Sequence, residues 1–453
     1  MGSQKRGIYL TGLTIRNIKS FKGDHKLDLT TVDGRVARWT LILGDNGVGK
    51  TTLLQCLAHL VPFRNTRDKD GVAKPKFFIE PGGSSDVKTI ERLARVGEHN
   101  FLLEAAFVGN GILDEVPTTR VKAFTTWMKF TKKQGKVDSF DASETDDVIK
   151  REPLVIAYGA GRKLGHGALD RDDAGGPLAS LFENQVELCD AEELIQQLDY
   201  AAYKRRTKQA TRQNNVMREM IAALLPDIGV PDNLKIYGPS PISRSGKTGV
   251  HAVTPYGEVP LADLSFGYQT MTAWLADIGW RIFQHYPASA NPLREPAIVL
   301  VDEIDLHLHP KWQRQLRRKL GEHFPAVQFI ATAHSPLMAQ AYMTQNLAVV
   351  RCVGEGATIE NEPTIVRSWR LDEVITSELF DLPSAFAPEI EALFEEQRLL
   401  VAKPDRTRAD NIRLAELEKI LLELPRRDDP EDVRAMDIIR RAAAALEQEQ
   451  GGE

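Results

Sequence analysis

Eight consecutive residues, Gly44, Asp45, Asn46, Gly47, Val48, Gly49, Lys50 and Thr51, satisfy the pattern G-x-x-x-x-G-K-[ST]. Glycines at these spacings let backbone N–H groups turn inward around a polyphosphate. Lys50 is then expected to reach its outer phosphates, and the Thr51 hydroxyl suits Mg²⁺. Thr52 follows at the helix start and joins the expected nucleotide contacts. Farther along, the apolar run Ile298, Val299, Leu300, Val301 ends in Asp302 and Glu303. An aspartate there predicts a second Mg²⁺ ligand, and Glu303 is placed to polarise an attacking water. His334 stands just past another apolar run, Val327 to Thr332, where it is expected to touch a γ-phosphate. Ser265 and Gly267 precede Met271, Trp274, Leu275, Ile278 and Ile282 at helical spacing, which makes a second anion site at a helix N-terminus. The chemistry this set suits is transfer of a phosphoryl group to water, with Lys50, Glu303 and His334 as its catalytic members.

Positioning these residues requires particular elements. "WTLIL" reads as a short buried strand before the glycine loop, and Leu53, Leu54, Leu57 and Leu60 recur at helical spacing after it. Ile298 to Val301 is continuously apolar, as parallel strands covered on both faces are, and Val327 to Thr332 reads as another apolar strand. Three strand ends would then converge on one carboxyl edge, where open α/β sheets bind ligands. One chain needs one phosphate cradle, so the Ser265 site is expected to serve a nucleotide held by another subunit. A further apolar run at Leu154 to Ile156 leads into "YGAGRKLGHG", whose Arg162 belongs either to an ATP- or interface-sensing loop or to a flexible connector. "GPSPISRSGKTG" contains GKT without the upstream spacing or strand and is rejected as a second cradle. His307 and His309 alternate without a third ligand and read as packing or interface residues rather than a metal pair.

Bulk properties agree with a multi-part soluble protein. At 453 residues, roughly two or three domains or subdomains are expected. Hydrophobic residues at 42% and charged residues at 27% exclude fibrous and wholly disordered classes. A net charge of -5 excludes a polycation that coats nucleic acid, leaving room for local basic patches only. Three cysteines without paired spacing, an N-terminus without a signal-peptide core and the lack of an apolar run of span length together predict a cytoplasmic protein with no membrane partner.

In order, "GDNGVGKT", "LSFGYQ", "VLVDEIDLHLHP" and "TAHSP" resemble the ABC-type ATPase heads of RecF, Rad50 and SMC proteins. More closely, the set is similar to stand-alone bacterial ATPases related to the overcoming-lysogenisation-defect (OLD) family, many of them from anti-phage systems. The opening "LTIRNIKSFKGDHKLDL" resembles that group's hairpin, and "AYGAGR" with "LDYAAYKRR" resembles the Septu-type and retron-associated ATPases. The resemblance implies an α/β P-loop NTPase head with a mixed central sheet, N-terminal antiparallel strands, a helical insertion and a C-terminal helical appendage. The corresponding expected segments are 1–150, 151–255, 256–360 and 361–453. It also implies ATP and Mg²⁺ as cofactors, and a head-to-tail homodimer or higher even oligomer with "DLHLHP" at the interface. Phe266 and Tyr268 depart from the family's LSGGQ signature.

Between cradle and signature no sustained heptads occur, which argues against a long tethering arm. "YKRRTKQATR", with Lys204, Arg205, Arg206, Lys208 and Arg212, is either a DNA, RNA or partner patch or a solvated helix face. "MKFTKKQGKVDSFDASETDD" pairs a basic hairpin-like stretch with an acidic one around Gln134 and Gly135 and reads as an exposed loop rather than a site. "LAVVRC" reads as the last core strand, and helical patterns follow where OLD nucleases carry a Toprim domain, so no nuclease domain is expected. The family analogy points to an ATPase that senses and controls a separate effector, such as an HNH or Toprim nuclease or a toxin, in phage defence. A RecF- or Rad50-like repair ATPase and an ATP-bound scaffold that sequesters a partner are the alternatives.

Overall fold

The computed structural model describes residues 6–422 apart from 65–74, 78–91, 112, 114–121, 134–135, 143–151, 166–175, 185, 226–227, 229, 239–246, 343–345, 362–369, 378, 381 and 383. It opens with β1 (Gly7–Arg16) and β2 (Asp24–Asp28), then β3 (Trp39–Gly44) and α1 (Lys50–His59). A short ribbon, β4 (Pro62–Arg64) and β5 (Pro75–Phe77), precedes β6 (Asn100–Gly111), β7 (Lys122–Lys133), β8 (Lys136–Ala142) and β9 (Val155–Tyr158). Next come α2 (Ala191–Arg205) and α3 (Lys208–Leu224), followed by β10 (Leu234–Tyr237), β11 (Gly249–Thr254), β12 (Gly257–Pro260) and α4 (Phe266–His285). The remaining core elements are β13 (Ala297–Val301), α5 (Pro310–His323), β14 (Val327–Thr332), α6 (Pro336–Tyr342), β15 (Asn346–Val353), β16 (Gly356–Asn361) and α7 (Leu371–Ile375).

Trp39, Thr40, Leu41, Ile42 and Leu43 are all buried, because β3 lies mid-sheet with both faces covered. The central sheet has the order β16-β15-β3-β14-β13-β9; its neighbouring strands are parallel except for β16, which runs antiparallel to β15. On one face Ile42, Ile298, Leu300 and Ile330 pack with Leu53, Leu54 and Leu57 of α1 and with the antiparallel sheet β2-β1-β6-β7-β8. On the other, Leu41, Leu43, Val299 and Val301 pack with Ile195 of α2, Met220 of α3, Trp274 and Ile278 of α4 and Leu316 of α5. Trp39 stacks on Phe329 at 4.2 Å between ring centroids. The class is therefore mixed α/β around a mixed central sheet, as expected.

A polar clasp joins the two sheets. Gln328 is fully buried in β14; its Oε1 accepts from the Leu10 N–H at 2.9 Å and its Nε2 donates to the Leu10 and Ala37 carbonyls. Tyr9 adds a bond from its hydroxyl to the Ala326 carbonyl. These pairings satisfy backbone groups that would otherwise be stranded between layers.

Three sequence expectations need revision. "LAVVRC" is not the last core strand, since β16 pairs back along it from Val353↔Gly356 to Ala348↔Asn361. Segment 151–255 is not simply helical: β9 is an edge strand of the central sheet, and β10 and β11 belong to a three-stranded sheet with β12. The hairpin-like reading of "KFTKK" and "KVDSFDA" holds, since β7 and β8 pair antiparallel, but these residues form strands of a sheet rather than an exposed loop. Gln134, Gly135, the acidic stretch 143–150, the glycine-rich stretch 166–175, residues 239–246, "RRDDPED" and the last helical pattern at 430–449 lie outside the described residues.

Contacts divide the chain into Met1–Asp381 and Leu382–Glu453. The second unit contains α8 (Pro388–Ala402) and α9 (Arg408–Leu422), joined by a two-toothed Arg413–Glu396 pair at 2.7 and 2.8 Å.

Candidate functional site

The site grows from the end of β3. Gly44, Gly47 and Gly49 have φ of 143°, 79° and 112°, left-handed values that L side chains resist. A Cβ on Gly44 would overlap the Val350 carbonyl, and one on Gly49 would strike Ser20 and Phe21 of the β1–β2 turn. Ser20 braces the loop by donating to the Val48 carbonyl at 2.8 Å. Asp45, Asn46 and Gly47 form the exposed crest, and nothing lies within 4 Å of the Cβ position at Gly47. α1 starts at Gly49 without a side-chain cap or an acidic residue in its first turn, so its N-terminal N–H groups and dipole face the crest.

Lys50 is buried, and its ammonium donates to the carbonyls of Gly44 (2.6 Å) and Asp45 (2.8 Å). Burial lowers its pKa, while Asp302, Glu303, Asp45 and Asp305 oppose that shift and favour the charged form. The Thr51 hydroxyl donates to Asp302 Oδ2 at 2.8 Å, joining the glycine loop to the end of β13. Thr52 is buried one position on. Asp302 Oδ1 accepts from the Thr332 hydroxyl at 2.6 Å, and the Thr332 hydroxyl oxygen itself accepts from the Glu303 N–H at 2.8 Å. A hydroxyl beside a carboxylate is the oxygen-only donor set that Mg²⁺ takes, so Thr51 and Asp302 fit that ion. The open crest and uncapped helix fit a polyphosphate.

Glu303 has φ 47°, a left-handed conformation costing a non-glycine residue roughly 1–2 kcal/mol. His334 lies between charges: Nδ1 is 3.4 Å from Lys50 Nζ and Nε2 is 3.9 Å from Glu303 Oε1. With Nδ1 facing an ammonium donor, the ring proton belongs on Nε2, toward the carboxylate. The His334 and Ser335 N–H groups both donate to Asp305 Oδ2, at 3.0 and 2.8 Å.

Ser265 and Gly267 stand elsewhere in the chain, at the start of α4. Ser265 is the N-cap residue, but its side chain makes no capping bond; as at α1, the first turn carries no acid. A Cβ on Gly267 would come 2.6 Å from the His307 carbonyl, so only glycine lets α4 approach the turn after β13 this closely. The two departures from LSGGQ pack on that turn and α5. Phe266, 54% exposed, meets the His307 ring edge-on at 4.7 Å, and Tyr268 meets Trp312 at 4.5 Å. His309 caps α5 by accepting from the Lys311 N–H. Among the described residues no group of three or more His, Cys, Asp or Glu is arranged to hold a metal.

Deeper in the same face, the buried Asp277 of α4 accepts from the Tyr158 hydroxyl (2.6 Å), Arg281 Nε (2.7 Å) and the Cys189 N–H (3.1 Å). The Tyr158 carbonyl in turn accepts from the Asp302 N–H at 2.8 Å. Arg162 bonds the carbonyls of Gly159, Asp302 and Glu303. Sequence reasoning missed the Thr332 hydroxyl, placed Asp305 only within the expected interface segment "DLHLHP", and left Arg162 without partners. The available signal was their position, two residues before His334 and three after Asp302. The basic tract Lys204 to Lys208 is exposed where α2 turns into α3, with Lys204 over the Tyr200 ring and Arg206 over Tyr203. Arg212 instead bonds the Ala290 carbonyl.

Two AAA-domain family models match the chain: one described simply as "AAA domain" over residues 12–219, and one described as "AAA domain, putative AbiEii toxin, Type IV TA system" over residues 256–339. The chain is 25% identical over 406 residues to "Septu protein PtuA" of Bacillus mycoides strain KBAB4, covering 87% of this chain and 48% of that one. It is 37% identical over 139 residues to "Retron Vc95 probable ATPase" of Vibrio cholerae, covering 31% and 25%. The expected resemblance to AAA-type ATPases of anti-phage systems is borne out. The chain spans about half, or less, of the length of these relatives. Among solved structures, the chain is similar to an SMC head domain from Thermotoga maritima over 78% of this chain and 99% of that one, at 16% identity and a TM-score of 0.42. No helix among the described residues is long and apolar enough to cross a membrane.

Proposed function

We propose that this AAA-type chain binds ATP on the loop Gly44 to Thr52 and hydrolyses it to ADP and phosphate. In this reading two chains pair head-to-tail, and Ser265 and Gly267 of one close over the nucleotide held by the other. The observation that carries the proposal is the 2.8 Å bond from Thr51 to Asp302, which brings a phosphate cradle and a strand-end acid into one oxygen-rich corner. Mg²⁺, when bound by Thr51 and Asp302, would neutralise charge on the phosphate oxygens. Lys50 stabilises charge developing on the outer phosphate. Glu303 orients the water and receives its proton, and His334, held between Lys50 and Glu303, reports the γ-phosphate to the backbone that Asp305 anchors. The names of the relatives support a biological setting, phage defence, in which this chain regulates a separate effector protein.

Steady-state ATP turnover and native mass, measured with and without ATP, test the reading. Lys50→Ala should abolish turnover and weaken ATP binding. Glu303→Gln should cut turnover by roughly 10²-fold or more while stabilising the ATP-bound dimer. A defence assay in the host then separates two roles: a hydrolysis-driven regulator loses protection with Glu303→Gln, whereas a scaffold keeps it. Wild-type protein that neither binds nor hydrolyses ATP would sink the proposal.

A further inference from the structure

Arg162 follows β9 in the short glycine-rich turn that lies against the end of β13. The residue is half-buried, and its guanidinium donates to backbone carbonyls: Nη1 to Gly159 at 3.0 Å and to Asp302 at 2.9 Å, and Nη2 to Glu303 at 3.1 Å. Its Nε is buried without a hydrogen-bond partner. A cation placed like this is costly unless its surroundings are negative, and here Asp302, Glu303 and Asp305 supply that field. The geometry has a second half. Two successive carbonyls, those of Asp302 and Glu303, can converge on one guanidinium because Glu303 is in the left-handed region, at φ 47°. The same turn sends the Glu303 N–H to the Thr332 hydroxyl and the Ile304 N–H to the Thr332 carbonyl.

We infer that Arg162 is a positioning residue for hydrolysis: by clamping the Asp302 and Glu303 carbonyls it holds Glu303 in its left-handed conformation and aims the carboxylate at the water-activating position beside His334. It acts through Glu303 and makes no contact with phosphate. Lysine cannot replace it, because a single ammonium does not present the planar fork that spans both carbonyls. The inference rests on the proposed role of Glu303 and deepens it.

The test uses the full-length protein with Arg162→Gln and Arg162→Lys. Deuterium uptake without nucleotide reads the backbone directly: exchange at Glu303, Ile304 and Leu306 should rise in both variants while α1 stays protected. With ATP, kcat should fall roughly 10²-fold and KM should stay within about twofold, with lysine recovering only part of the loss. In a Glu303→Gln background, Arg162→Gln should lower turnover no further. Unchanged exchange would overturn the inference. So would a loss of affinity for a fluorescent ATP analogue as large as the loss of kcat, which would make Arg162 a phosphate ligand. If the wild-type protein does not hydrolyse ATP, the exchange measurement still decides whether Arg162 holds this turn, and the hydrolysis reading alone falls. Should Arg162→Gln fail to fold, Arg162→Lys keeps the charge and carries both measurements.

Discussion

At the scale of single residues, Thr332 shows how much of the site depends on a side chain that carries no chemistry of its own. One hydroxyl donates to Asp302 and accepts from the Glu303 N–H, so it fixes both acids relative to β14. Thr332→Val keeps the shape and removes both bonds. Stability measured by urea unfolding should drop by about 1–3 kcal/mol, and ATP turnover should fall further than in Thr332→Ser, which keeps the hydroxyl. Equal behaviour of the two variants would remove Thr332 from the site. Residues such as Thr332 and Arg162 were illegible in the sequence for a physical reason. Their partners are backbone atoms or a neighbour on the next strand, and neither leaves a local pattern. Lys50, Thr51, Asp302 and His334 could be brought together on paper because each lies just past a mainly apolar run, and parallel strands align such ends.

At the scale of elements, α1 carries a buried group that links the stability of the fold to pH. His59 is buried in its last turn against the Phe182 ring, and burial, with help from Lys19, pushes its pKa down from 6.5 to about 3. The unfolded chain therefore binds this proton more readily than the folded one between those values. Stability from this group is complete above pH 6.5 and is lost as pH falls toward 3, by up to about 1.4 kcal/mol per pH unit. Urea midpoints measured from pH 7.5 to 4.5 should fall in the wild type and fall less steeply in His59→Gln; parallel slopes would contradict the assignment. Elements also differ in how openly the sequence announces them. β13 and β14 were plain because both faces are covered: every position of β13 is apolar, and β14 departs only at Gln328 and Thr332. β16 was not, since in "GATIEN" only Ala357 is buried and the strand is recognisable only once paired with β15. The sheet of β10, β11 and β12 escaped notice similarly, being built from strands of four to six residues.

At the scale of the whole molecule, the proposed function makes the glycine loop and the Ser265 turn two half-sites on one chain. In a head-to-tail pair each complete site takes one half from each subunit, which mixing can reveal. Lys50→Ala and Ser265→Arg proteins should each be inactive alone, yet recover ATP turnover when combined, because one of the two sites in the mixed pair is wild type throughout. No recovery, with both proteins folded and co-purifying, would argue that each chain works by itself. The contacts of α4 give this arrangement a further meaning. Gly267 lies against the His307 carbonyl, and Asp277 reaches through Tyr158 to the Asp302 backbone, so one chain's two half-sites are linked by bonded and close-packed atoms. Occupancy of one site in such a pair would be felt at the other through the shared subunit. The two nucleotides would then bind cooperatively, making the pair a threshold device that answers to a narrow span of ATP concentration rather than following it in proportion.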